Sequence, residues 1–364
     1  MEKEGAMKKA ALVTSGIFLN DQVFNIDDPV MNKDNCRVPF FRLRAKMAER
    51  GYALATQDIH PVDECSIVIF NDMPVNLPKK KPNQKFFLLA YESIAVLPRN
   101  FDMKLYRQMD KIFTWKDDIV DGDRIVKINY SYILEPMPWF ERKDRKKLVC
   151  LVSNNKLSPH RNELYSERVR AIHWFEKHHP EDFDLFGIGW NYSFGGYYIM
   201  KLQEIFPPFR WLWSFFRLLR LDRLISRKYM TYRGSLSPKI PTLRNYQFNI
   251  CFENVSGVPG YITEKIFDCF FAGCVPVYLG APNIADHIPS SCYIDMRKFN
   301  SFDQLYRYLR DMSDAEFCRY TDAIADFLRS SKAKAFDADV FAETIALHCT
   351  ADAVNRPGVK NNPD

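Results

Sequence analysis

Short runs of β-branched and aromatic residues alternate along this chain with stretches of helical period. No other feature restricts its fold so strongly, because strands separated by helices pair in parallel and bury both faces of a sheet. In the first half the runs are ALVTSG (11–16), SIVIFND (66–72), KFFLLAYES (85–93), KIFTW (111–115) and RIVKINY (124–130). The helical pattern FFRLRAKMAERGY (40–52) lies between the first two, with Gly51 as its stop signal.

A charged, proline-containing stretch, EPMPWFERKDRKK (135–147), interrupts the series and reads as a domain boundary. Beyond it a second series opens with LVCLVSNN (148–155), the helix 162–179 and the strand FDLFGIGW (183–190). It continues with strand 248–254, helix 261–273, strand CVPVYLG (274–280), and helices near 301–331 and 337–354. The expected organisation is α/β: a Rossmann-like domain over 1–145, a second over 146–335, and a C-terminal helix and polar tail over 336–364 returning to the first. Two such domains in tandem leave a cleft between them, and open α/β sheets bind ligands beyond the carboxyl ends of their strands.

Composition narrows the classes. With 364 residues, 47% of them hydrophobic, the chain can bury sizeable cores. A net charge of +6 suits anionic ligands but falls short of a nucleic-acid footprint, and no nucleic-acid partner is expected. The nine cysteines form no C-x-x-C pair and mostly sit in apolar runs, so they read as buried reduced thiols rather than disulfides or zinc ligands. The MKKAALV start (7–13) imitates a signal peptide but lacks a cleavage site, and no apolar stretch reaches 18 residues, so a cytoplasmic protein is expected. The sequon at Asn254 falls inside the strongest motif, where a glycan would obstruct a ligand.

That motif, FNICFENVSGVPGYITEKIFDCFFAGCVPVYLGAP (248–282), reads as strand, glycine-containing loop, helix and strand. Asn254, Ser256, Gly257, Pro259 and Gly260 let the chain turn, and Tyr261, Thr263, Glu264 and Lys265 are expected in the first helical turn. Such a turn favours a phosphate, Lys265 adds a charge, and Glu264 can accept from ribose hydroxyls. Taken alone, the Glu-Lys pair also fits an ordinary solvated helix start.

The F-E-N, Y-x-T-E-K and V-P-V-x-x-G elements of this segment closely resemble the α1,3-fucosyltransferase family, glycosyltransferase family 10. The resemblance implies a GT-B fold, two Rossmann-like domains facing each other across a cleft, with GDP-fucose held by Asn254, Tyr261, Thr263, Glu264 and Lys265. VSNNKLSPHRNELYSERV (152–169) resembles the strand, loop and helix of the same family, which places Ser153, Asn154 and Arg161 at the donor diphosphate. Arg161 at a helix start is unfavourable unless an anion is near, while Ser153 and Asn154 equally suit a plain turn. In AYES (90–93) the resemblance makes Glu92 the general base of an inverting transfer.

Three D-x-D patterns, at 121–123, 182–184 and 337–339, spell the signature of metal-dependent transferases. Three hits indicate chance, so no metal is expected to be essential and no cofactor is implied besides GDP-fucose as co-substrate. The insert 199–230 combines Trp211, Trp213, Phe215 and Phe216 with Arg210, Arg217, Arg220, Arg223, Arg227 and Lys228. It suits either a helix lying on an anionic membrane through 210–229 or one packed on the second domain.

The favoured reading is transfer of L-fucose from GDP-fucose to a hydroxyl of GlcNAc, Gal or Glc in an oligosaccharide or lipid-linked glycan. It includes an α1,3 linkage, a role in cell-surface glycan or lipopolysaccharide synthesis, and a place on the inner face of the cytoplasmic membrane. Its rivals are the same fold with another nucleotide sugar, and a glycan- or nucleotide-binding module without turnover.

Overall fold

The computed structural model describes residues 7–29, 31–137, 142–145, 147–192, 228–236 and 238–354, with Tyr198, Leu202, Phe206 and Pro208 between. The basic aromatic segment 210–227 lies outside the described residues. Two compact units emerge, one formed by Met1–Leu134 with Ala333–Asp364, the other by Glu135–Lys332.

The first unit is built on six parallel strands: β1 (Lys8–Val13), β2 (Tyr52–Thr56), β3 (Ile67–Asn71), β4 (Lys85–Ala90), β5 (Lys111–Thr114) and β6 (Ile125–Lys127). Their order is β2-β1-β3-β4-β5-β6, with Val13 beside Phe70 and Asn71 beside Leu89. Alternate residues feed two cores, as a sheet covered on both faces requires. Leu12, Ile69, Leu89 and Phe113 face the helix Val38–Ala48 and the C-terminal helix Ala338–Val354. Ala11, Val68, Phe70 and Leu88 pack on the other side with Tyr106 and Met109.

The C-terminal helix enters through a bridge between Tyr132 and Asp337, flanked by bonds from Tyr132 N to Phe336 O (2.8 Å) and Ala338 N to Tyr132 O (2.9 Å). It then lies along Val38–Ala48, where Phe341 meets Phe40 edge-on and Glu343 pairs with Arg50.

The second unit carries five parallel strands: β7 (Lys147–Val152), β8 (Phe183–Phe186), β9 (Tyr246–Phe252), β10 (Val275–Leu279) and β11 (Ile294–Asp295), ordered β11-β10-β9-β7-β8. The helix Tyr165–His178 covers one face, with Phe175 stacked on Phe183 at 4.8 Å, and Phe317 of the helix Asp314–Arg329 meets Phe248 edge-on at 5.7 Å. The helical stretch expected near 301–331 is two helices, Phe302–Asp311 and Asp314–Arg329. Ser313 starts the second, its hydroxyl accepting from Glu316 N at 3.2 Å. All nine cysteines are free, and Cys36 and Cys318 are exposed rather than buried.

Candidate functional site

At the carboxyl end of β9 the chain passes from an apolar strand into Glu253, whose side chain is fully buried. A carboxylate can sit there only if donors meet it. Thr263 supplies its N–H (2.8 Å) and its hydroxyl (2.7 Å), and Lys265 Nζ adds an ion pair at 3.1 Å. This bond set fixes where the following helix begins. Thr263 is extended, its N–H and hydroxyl both turned to Glu253, so the helix runs Glu264–Ala272. Tyr261 and Thr263 therefore precede the helix instead of lying in its first turn.

Lys265 also donates to Thr263 Oγ1 (2.7 Å) and approaches Glu264 Oε1 at 3.4 Å. Burial works against its ammonium, yet the adjacent carboxylates of Glu253 and Glu264 raise its pKa above the ordinary lysine value. Burial likewise pushes the Glu264 carboxyl up, but Lys265 and Lys239 outweigh it and hold the group at about 2. The charge expected of Lys265 is thus shared with a partner, Glu253, that the motif reading passed over. A glutamate closing the run FNICF was itself the signal, since a buried acid requires a cation.

The loop between is tightly built. Asn254 Oδ1 accepts from Arg168 (3.1 Å) and its amide donates to the Tyr261 hydroxyl (3.2 Å). Arg168, buried and also overlooked in the sequence, donates to Phe252 O as well. Tyr278 lies beneath, its hydroxyl donating to Tyr261 O (3.3 Å) and accepting from Ala281 N (3.1 Å). A Cβ on Gly280 would come within 2.5 Å of that hydroxyl and 2.6 Å of Glu253 Cγ, so the backbone approaches this closely only because residue 280 is glycine.

The two motifs meet here. Leu164 N donates to Asn254 O (3.0 Å) and Ser256 N to Asn162 O (2.9 Å), with Glu163 and Val255 bridged antiparallel. These bonds hold residues 161–164 as a turn, and the helix begins only at Tyr165, so Arg161 precedes it. Its side chain is exposed and makes no ion pair or hydrogen bond among the described residues. Ser153, just past β7, donates its N–H to Phe186 O (3.0 Å), while its buried hydroxyl and Asn155 Oδ1 have no partner among the described residues. Asn154 Oδ1 is engaged by Ile188 N at 2.9 Å, a turn contact. The second unit thus brings Ser153, Asn154, Arg161, Asn254, Tyr261, Thr263, Glu264 and Lys265 to the carboxyl edge of its sheet, where such folds place ligands.

Glu92 belongs to the first unit, half-buried just past β4. Its position is set by Asp72, a residue in the left-handed region (φ 66°) at the end of β3. Asp72 Oδ1 accepts from Tyr91 N (2.9 Å), Glu92 N (2.9 Å) and Asn100 Nδ2 (2.7 Å), and that amide also donates to Glu92 O at 3.1 Å. Burial pushes the Asp72 carboxyl above its ordinary value against the pull of these donors.

The D-x-D residues have local duties. Asp121 Oδ1 closes a turn onto Asp123 N (2.9 Å) and Ile125 N (2.8 Å), and Asp337 Oδ1 accepts from Asp339 N (2.7 Å). Asp184 is buried against Arg233 (2.7 Å) and the Tyr246 hydroxyl (2.8 Å). Asp182 accepts from Tyr306 (2.7 Å) and lies with His179 and Glu181 in the group of possible metal-ligating side chains found among the described residues. That group sits before β8, on the opposite edge of the sheet from the motif residues.

This two-sheet architecture is the GT-B fold of nucleotide-sugar glycosyltransferases. A solved α1,3-fucosyltransferase with GDP superposes over all of this chain and 95% of its own with a TM-score of 0.52 at 16% identity. Anabaena HepE in complex with UDP-glucose does so over 95% of this chain and all of its own, at 0.52 and 10%. Residues 227–349 match the model for the glycosyltransferase family 10 (fucosyltransferase) C-terminal domain. The Helicobacter pylori α-(1,3)-fucosyltransferase FucT is 38% identical over 68 residues, 19% of this chain and 14% of the relative. An Arabidopsis thaliana α-(1,4)-fucosyltransferase is 38% identical over 72 residues, 20% and 18%, and mouse 4-galactosyl-N-acetylglucosaminide 3-α-L-fucosyltransferase 9 is 41% identical over 75 residues, 20% and 21%. The matched stretch thus spans about a fifth or less of these curated relatives.

Proposed function

We propose that the protein is an inverting fucosyltransferase that takes L-fucose from GDP-fucose. The observation that carries this reading is the family-matching strand-loop-helix at 246–272, with Asn254, Tyr261, Glu264 and Lys265 gathered at one sheet edge beside Arg161. Glu264 would accept from the ribose. Lys265 is already neutralised in part by Glu253, so Arg161, a cation that no described residue engages, carries the larger share of diphosphate charge. The Ser153 hydroxyl, without a partner among the described residues, adds a donor at the same sheet edge.

In the reaction, Glu92 takes the proton of an acceptor hydroxyl as that oxygen attacks the anomeric carbon. The bond to the diphosphate breaks on the opposite face, and GDP leaves with the electron pair. The acceptor is proposed to be GlcNAc, Gal or Glc in an oligosaccharide or lipid-linked glycan of the cell surface, lipopolysaccharide included, with the α1,3 linkage that the Helicobacter pylori and mouse relatives are named for rather than the α1,4 linkage of the Arabidopsis one. We also infer a cytoplasmic enzyme, peripheral on the membrane through 210–229, that needs no divalent metal. Glu92→Gln is expected to lower transfer at least ~100-fold, the scale of a general base, with GDP affinity unchanged, and EDTA to leave wild-type turnover intact. Wild-type turnover in the variant would remove Glu92 from the mechanism.

A further inference from the structure

In the first unit β1 is joined to the helix Val38–Ala48 by a long connection, residues 14–37, far above the usual length of a βα loop. Its residues 14–21 are tied to the carboxyl end of β2 and the residues just past it. Thr14 N donates to Gln57 Oε1 (3.0 Å) and Gln57 Nε2 to Thr14 O (2.6 Å). Asn20 N donates to Asp58 Oδ2 (2.8 Å), and Thr56 N to Asp21 Oδ1 (2.8 Å). At its end stands Arg37, only 1% exposed.

The Arg37 guanidinium lies 5.6 Å from the Phe18 ring and spends Nη1 on the carbonyls of Gln22 and Asn25. Its Nε and Nη2 are buried without a partner among the described residues. No carboxylate pairs with it among the described residues; Asp21 is taken by Arg44 at 3.1 Å. Arg37 also immediately precedes a helix that has neither a side-chain cap nor an acid in its first turn, where the dipole opposes a cation. Two independent observations, orphaned buried donors and an uncompensated charge at a positive helix end, thus call for one thing: an anion.

We propose that Arg37 binds an anionic group, carboxylate or phosphate, carried by the acceptor glycan. The location follows from the sheet. The loop lies past β1 and Glu92 past β4 at the same carboxyl edge, with β3 between those strands. The assignment to the acceptor rests on the fucosyltransferase reading; the anion site itself does not. Neutral hydroxyls could satisfy the donors but would leave the charge uncompensated, so the acceptor is an acidic glycan.

Calorimetry on the full chain saturated with GDP, which keeps the nucleotide site filled, tests this with methyl β-glucuronide, glucose 1-phosphate and the neutral methyl β-glucoside. One anionic probe is expected to bind at least ~10-fold tighter than the glucoside, and Arg37→Met to erase that preference. The same variant is expected to keep or raise the melting temperature of the free protein, because it removes an unpaired buried charge. Equal binding of all three probes, or undiminished binding by Arg37→Met, overturns the proposal, as does a melting temperature well below wild type, which would make Arg37 a structural tie. Should Arg37→Met fail to fold, Arg37→Lys decides: several-fold weaker anion binding supports the site and unchanged binding overturns it. GDP-fucose hydrolysis by the wild type is measured alongside. Its absence in wild type would sink the transferase reading and leave the anion titration to stand or fall by itself.

Discussion

Glu253 shows how much of a site can rest on one buried charge. Its carboxylate joins the end of β9, the extended Thr263 and the Lys265 ammonium, so loop closure and charge placement are set by the same group. Glu253→Gln keeps an acceptor for Thr263 but leaves the Lys265 ammonium short of a counter-charge. The expected loss is ~1–3 kcal/mol of unfolding free energy, the scale of a charge-assisted bond, read by denaturant titration; an unchanged midpoint would mean that the pair contributes nothing. Asn254, Tyr261, Glu264 and Lys265 stand out in the sequence because their spacing resembles a family pattern. Glu253, Arg168 and Asp72 do not, because each acts through the backbone or through another side chain. Their partners are distant in sequence, as Arg168 is from Phe252 and Asp72 from Glu92.

Strands and helices were legible where hydrophobic period and length agree, as in β3, β4, β9 and the helix Tyr165–His178. β2 was missed because the helical pattern 40–52 runs through its first residue, Tyr52, and Leu54 is the one large apolar residue in the remaining ALAT, and β11 because it has only two residues. Helix starts were read three residues early at both motifs, since in each case a turn held by long-range bonds precedes the helix. Packing between elements also sets an alkaline limit. Burial, reinforced by Asp182, raises the Tyr306 hydroxyl from its ordinary value near 10 to about 12, and burial with Asp295 does the same for Tyr293. The folded state therefore keeps protons that the unfolded chain releases. This contribution is complete below about pH 10 and is lost as pH rises through about 12. Replacing both tyrosines by phenylalanine is expected to shrink the fall in melting temperature between pH 9 and 11; an undiminished fall would place the alkaline sensitivity elsewhere.

At the scale of the whole chain, the alternation of strands and helices sufficed for two parallel sheets, and the family motif fell on the second of them. The donor and acceptor identities were not legible, because the fold is shared between proteins solved with GDP and with UDP-glucose. Donor identity is therefore what a nucleotide-release assay decides. The protein would be incubated with GDP-fucose, GDP-mannose or UDP-glucose, and free nucleotide measured for wild type, Arg161→Ala and Lys265→Ala. Release from GDP-fucose at least ~10-fold faster than from the other two, falling in both variants, is the predicted result. Equal or faster release from UDP-glucose, or release indifferent to Arg161 and Lys265, would contradict it.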